Sequence, residues 1–276
     1  MMYHMMFLAY VAATVFYGVA IIAAMKRKET AVSVLRWFAL AAVVAALGIG
    51  VTMMTQSWVE TGHPPFRTLY QSLIFFSATT ALVFLYSARK IVVMGLLTGL
   101  FILAILGYGY VKQDADLVQL PPALQSAWFI PHVVVYFLGY AALFVSFMAA
   151  ILYLVFPKAK ELPSAALLGL DTLDFSAFMY RSILFGYAMI SAGLILGALW
   201  AKFAWGDWWS WDPKENWALI TWLVYTAYLH FRFTKRVGKR GLAWLSIIGF
   251  LAVMFTYLGV NYLPAAQEAL HSYTMQ

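Results

Sequence analysis

The chain alternates long apolar runs with short polar breaks. Eight stretches contain no Asp, Glu, Lys or Arg: Met5–Met25, Trp37–Met54, Leu69–Ala88, Ile91–Val111, Val133–Phe156, Ser182–Ala201, Asn216–Phe231 and Leu242–Leu263. A helix needs roughly 20 residues to cross the hydrocarbon of a bilayer. A transmembrane barrel would show alternating segments of about 10 residues instead. The pattern therefore predicts an all-α, polytopic membrane bundle of about eight transmembrane helices, forming a single membrane domain over residues 1–276.

The polar breaks set an expected orientation. With the N-terminus outside, the inner connections hold Lys26, Arg27, Lys28, Arg36, Arg89, Lys90, Lys158, Lys160, Arg181, Arg232, Lys235, Arg236, Lys239 and Arg240. The outer side keeps Arg67, Lys112, Lys202 and Lys214. Cytoplasmic loops carry the excess of Lys and Arg, so both termini are expected on the outer side. The formal charge of +7 then reports topology, and no nucleic-acid partner is expected. A signal peptide carries its positive charge ahead of the apolar run. Here "KRK" at 26–28 follows the run, which predicts a retained first span.

Outer segments fall at roughly 55–68, 112–131, 202–214 and 264–276. Among the inner connections, 158–181 is long enough to hold an amphipathic helix lying on the surface. Composition agrees with this picture: 64% of residues are hydrophobic and 11% charged, against about 25% charged in an ordinary globular domain. The chain has no cysteine, so it offers neither a disulfide nor a thiolate ligand.

Two kinds of residue carry candidate chemistry. The stretch "WGDWWSWDPKENWALITW", Trp205–Trp222, holds six Trp, with Trp200 just upstream. An interfacial aromatic belt is one reading. A belt spreads its rings over all span ends, however, whereas these cluster in a Gly-interrupted loop. Clustered indoles also suit a large planar ligand held by offset and edge contacts. Within "WDPKE", Asp212 fits N-cap, Pro213 N1 and Glu215 N3, a capping box that starts the next helix sharply.

The five histidines divide by depth. His4, His63, His132 and His271 fall in or beside outer segments, while His230 lies near the inner end of the seventh run. Fifteen residues at about 1.5 Å rise put His230 roughly 22 Å from Glu215. His132 either snorkels at the interface or opens a cavity lined by Tyr136, Tyr140 and Phe144 at i+4 intervals. His271 is either a solvated tail residue or a ligand, and His63 in "GHPPF" reads as a turn residue. His230 is either an interface residue beside Arg232 or an intramembrane ligand. Zinc would accept imidazoles but leave the Trp cluster without a purpose. Haem is flat and apolar and takes two axial histidines, so a haem site is the reading the residues favour. No Ser–His–Asp constellation or Gly-rich phosphate loop is visible.

Four segments in order carry a family resemblance: "GHPPFRTLYQSL" at 62–73, "LQSAWFIPHVVVYFLGYA" at 124–141, "GALWAKFAWGDWWSWDPKENWALITWLVYTAYLH" at 197–230 and "FTYLGVNYLPAAQEALHSY" at 255–273. The chain resembles the haem-handling family with a tryptophan-rich WWD domain, in its CcsA-type branch of cytochrome c biogenesis. The resemblance implies a subunit of cytochrome c synthase, in a bacterial inner membrane, acting with a CcsB/ResB-type membrane protein. Such a complex delivers haem b to the outer face for attachment to the CxxCH motif of apocytochrome c. It also implies His132 and His271 as outer axial ligands and His230 as the intramembrane ligand. Trp205, Trp208, Trp209 and Trp211 then form the haem platform, in an outer loop at 202–214. Gln71, Arg67 and Ala269 depart from the family pattern. A CcmC-like exporter or chaperone, and a transporter of another solute, are the alternatives. A transporter would be expected to show paired, interrupted helices, and none are visible.

Overall fold

A computed structural model describes residues 1–112, 121–267 and 270–271; Ala269 lies outside them. Among the described residues, long helices form where the eight apolar runs predict them. They are α1 (Met2–Met25), α2 (Glu29–Thr61), α3 (Leu69–Ser87), α4 (Val92–Val111), α5 (Phe129–Val155), α7 (Phe175–Trp205), α8 (Pro213–Thr234) and α9 (Lys239–Tyr257). Single turns form α6 (Ala165–Leu168) and α10 (Pro264–Gln267). Seven of the long helices are long and apolar enough to cross a membrane, and the chain is a helical membrane bundle. The exception is α8, where Asn216, His230 and Arg232 sit among Trp, Tyr and Thr.

Several helices outrun their apolar cores. At about 1.5 Å per residue, the 31 residues of α7 span roughly 46 Å, against about 30 Å of hydrocarbon. Two expectations are corrected. The connection at 158–181 holds only the single α-helical turn α6 ahead of α7: Leu162 is extended ahead of Pro163, and α6 buries Ala165 and Leu168 while Ala166 is exposed. The last run does not stay helical to Leu263. It leaves α-helix after Tyr257 and continues as a 3₁₀ turn over Gly259–Tyr262.

The chain forms two compact units. One comprises Met1–Phe66, Tyr70–Gln113 and Val155–Phe175, the other Arg67–Leu69, Asp114–Leu154 and Ser176–Gln276. In the first unit α1 packs against both α2 and α4, and Tyr3 donates a 2.7 Å hydrogen bond to the Leu106 carbonyl.

The second unit holds α8, α9 and nearly all of α5 and α7, and its interior is tied by side-chain hydrogen bonds. Ser146 on α5 meets Ser246 on α9 at 2.6 Å, and Thr221 on α8 meets Thr256 on α9 at 3.0 Å. Trp222 Nε1 donates to Ser191 Oγ at 2.8 Å, joining α8 to α7. Such bonds average about 0.6 kcal/mol within membranes, where lipid supplies no hydrophobic drive between helices. Their main effect is to fix helix register.

Candidate functional site

The site begins with the fit between α5 and α7. Glycines of α7 face α5, and close approach requires them. A Cβ on Gly193 would come 2.6 Å from the ring of Tyr136, and one on Gly197 would come 2.7 Å from Cε1 of His132. The imidazole of His132 therefore occupies space that any side chain at 197 would take. Nδ1 of His132 lies 2.9 Å from the carbonyl of Gly193. A carbonyl can only accept, so Nδ1 carries the proton and Nε2 keeps its lone pair.

Trp200 follows on the same helix, only 2% exposed. Its Nε1 donates to the Ala123 carbonyl at 2.7 Å, which fixes the plane of the indole. His132 stacks against that plane with centroids 5.5 Å apart and an angle of 29°. His271 meets the same indole edge-on, at 5.4 Å and 65°. Trp205 completes the group, 4.7 Å from Trp200 and 4.7 Å from His271. Residues 132 and 271 are thus brought to one aromatic surface by an intervening tryptophan. Below His132, Tyr136 and Tyr140 continue the stripe at 4.9 and 5.4 Å.

The loop after α7 is shorter than 202–214, because helix continues through Trp205. Gly206 turns the chain with φ of 93°, a conformation glycine adopts without penalty. Lys202 Nζ closes the turn onto the Gly206 carbonyl at 2.6 Å. Trp211 has φ of 59°, which is costly for a bulky residue. Its carbonyl is held by Asn216 Nδ2 at 2.9 Å. The capping box forms as the sequence predicts. Asp212 Oδ1 accepts from the Lys214 amide at 2.8 Å, and Glu215 Oε2 accepts from the Asp212 and Ser210 amides at 3.1 and 2.8 Å. A cap of this type is worth about 1 kcal/mol.

Asp212 also faces the site. Its Oδ1 lies 3.1 Å from Nδ1 of His271. The contact lies off the ring N–H direction. Burial pushes the Asp212 carboxyl up. The proximity of His271 and the amide of Lys214 outweigh it and hold the carboxyl below its ordinary range. Lys214 Nζ reaches the carbonyl of His271 at 3.5 Å.

The remaining expected site residues separate into two groups. Trp208 and Trp211 are 54% and 68% exposed. Trp209 is half-buried with its ring edge-on to Trp211 at 5.9 Å, and its Nε1 is buried without a hydrogen-bond partner. These three line the loop, whereas Trp205 belongs to the imidazole pair. His230 is not brought to that pair. It lies exposed on the last turns of α8, its ring against Phe231. His63 is exposed in the turn after α2, where Gly62 ends the helix.

This donor set fits a planar iron complex better than a bare ion. Among the described residues no three His, Cys, Asp or Glu side chains gather as a metal cage. Both imidazoles present Nδ1 to an oxygen: that of His132 donates to the Gly193 carbonyl, and that of His271 lies beside the Asp212 carboxylate, off the N–H direction. For His132 that is the outer-shell pattern that orients Nε2 towards a metal. Trp200, Gly193 and Gly197 were not singled out as site residues by sequence reasoning. Their spacing of i, i+4 and i+7 puts them on one face of α7, a signal visible only once α5 is known to lie against it.

Comparisons with known proteins agree in direction. The family model described as "Cytochrome C assembly protein" matches residues 66–266. The chain is similar to the cytochrome c biogenesis protein CcsA of Guillardia theta, 37% identical, covering 84% of this chain and 83% of that one. It is similar also to the CcsA of Prochlorococcus marinus (strain MIT 9312), 38% identical over 78% of each chain. Among solved structures it resembles a cytochrome c haem lyase, CcmF, with a TM-score of 0.60 and 21% identity. That likeness covers 97% of this chain but only 50% of CcmF, and it speaks for the fold.

Proposed function

The chain belongs to the cytochrome c assembly protein family, and from that membership and its paired imidazoles we propose that it is the CcsA-type, haem-handling subunit of a cytochrome c synthase. The observation that carries this reading is the meeting of His132 and His271 on Trp200, each with Nδ1 close to an oxygen.

In this reading the cargo is haem b. His132 and His271 are its axial ligands through Nε2, and Trp205, Trp208, Trp209 and Trp211 are the aromatic platform. The loop faces the outer side of a bacterial inner membrane, as the distribution of Lys and Arg supports. Two nitrogen ligands would occupy both axial positions of the iron and keep other ligands away. The histidine of the acceptor's CxxCH motif then replaces one of them. Each acceptor thiol adds across a vinyl group, sulfur to one carbon and hydrogen to the other, so the step needs no net oxidant. Held in register, thiol and vinyl gain chiefly from proximity and orientation, and no general base is assigned to this chain.

His230 is the candidate ligand of an earlier, deeper site. Its exposed position on α8 suits an axial partner supplied by a CcsB/ResB-type membrane protein. An absorption spectrum of the chain, purified with and without that partner, tests the reading. Six-coordinate haem in the complex is the expected result, and a colourless complex that still matures cytochrome c would refute it.

A further inference from the structure

The acidic residue at the start of α8 does two things with one carboxylate. As N-cap, Asp212 Oδ1 accepts the Lys214 amide at 2.8 Å. The same oxygen lies 3.1 Å from Nδ1 of His271. The side chain is 2% exposed, so the carboxylate is withdrawn from water and its charge acts at short range on the imidazole. A capping role alone does not require this placement, since caps work as well at an exposed surface.

Two further contacts keep this carboxylate in place and hold the segment it faces. Glu215 Oε2 ties down the Asp212 amide at 3.1 Å, so the N-cap residue cannot rotate freely. Lys214 Nζ reaches the carbonyl of His271 at 3.5 Å. Residues 212 and 214 thus hold residue 271 by its ring and by its backbone. The "DPKE" sequence is a helix start and a clamp at once.

We propose that Asp212 is the positioning residue for His271, holding Nδ1 so that Nε2 points into the aromatic group formed by Trp200 and Trp205. This rests on the reading of His271 as a haem ligand, and it adds a residue that acts through that ligand without touching the iron. An anionic partner at Nδ1 also makes the imidazole a stronger donor at Nε2. His132, whose Nδ1 faces a neutral carbonyl, is the weaker donor of the two. The pair is therefore chemically unequal, and His132 is the ligand that an incoming acceptor histidine displaces more readily.

Two variants separate the clamp from the cap. Asp212→Ser keeps a good N-cap but has no carboxylate to reach His271. Asp212→Asn keeps the cap and the shape but removes the charge. The measurements are the 15N shifts of His271 in the haem-free chain, the haem affinity, and the midpoint potential of bound haem, all in the complex with its partner. Expected are a loss of the Nδ1–H preference of His271 in Asp212→Ser, with haem affinity down by about 10–100-fold. Asp212→Asn should bind haem with a raised midpoint potential. If both variants match the parent in shifts, affinity and potential, Asp212 is only a cap and the proposal is wrong. If the 15N shifts change while no form of the complex binds haem, the positioning of His271 stands and the haem reading falls.

Discussion

The imidazole of His132 stacks on the indole of Trp200 with centroids 5.5 Å apart and planes 29° from parallel. The indole is anchored by its own hydrogen bond to Ala123, so it serves as a fixed wall. Trp200→Phe should keep part of the wall while losing the anchor, and Trp200→Ala should lose both. Haem recovered per mole of complex is expected to fall moderately in the first and severely in the second. Because replacing a buried Trp by Ala commonly costs about 3–5 kcal/mol, protein yield must be measured beside haem content. Full haem loading in Trp200→Ala would show that the wall plays no part in binding.

Removing either imidazole should act on maturation directly. His132→Gly and His271→Gly are each expected to abolish cytochrome c maturation, with partial recovery on adding imidazole. Holocytochrome measured by haem staining reads the outcome. Full activity without added imidazole would remove that residue from the ligand set.

Gly197 offers a sharper version of the same test. A Cβ there would lie 2.7 Å from Cε1 and 2.8 Å from Nδ1 of His132. Gly197→Ala should therefore displace the ring and lower maturation as far as His132→Gly does. Added imidazole should rescue it less well, because the methyl group fills part of the vacated seat. Equal rescue in the two variants would mean that the α5–α7 seam yields without consequence.

His230 should behave differently from the other two. His230→Ala is expected to reduce total haem in the complex while leaving the geometry around Trp200 unchanged. Haem per complex, compared with His271→Gly and with the double variant, gives the measurement. Unchanged loading would make His230 an interface residue and nothing more.

Acid should undo the Asp212 contact late. Its carboxyl is held below its ordinary value in the folded chain, so its contribution to stability is complete above the unfolded value of about 3.9. That contribution fades only as pH falls through the lower folded value. Protease cleavage near residue 271, or fluorescence of Trp205, should therefore be unchanged at pH 5 and change below about pH 4. Release of the segment at pH 5 would contradict the contact.

Much of this was legible in the sequence because membrane helices are written in composition. The apolar runs placed all eight long helices, and "WDPKE" announced the start of α8 by its capping chemistry. The ends were less legible. Helix α7 runs on to Trp205, because an apolar run marks the hydrocarbon and not the helix that projects beyond it. The four tryptophans read as one platform in sequence, yet Trp205 packs with His271 while Trp208 and Trp211 stay exposed. Trp200 was overlooked as a site residue, since its importance comes from what α5 brings to it. Asp212 was legible as a cap and illegible as a partner of His271, because 59 positions separate the two in the chain.

The site's long separation in sequence has a temporal consequence. Positions 132 and 271 are 139 residues apart, and α7, α8 and α9 all lie between them. The first imidazole is seated between α5 and α7, whereas the second follows α8 and α9 in the chain. A half-made chain can therefore present one histidine and a stacked indole, but not a pair. If the two histidines hold haem as proposed, only the completed bundle could hold it from both sides.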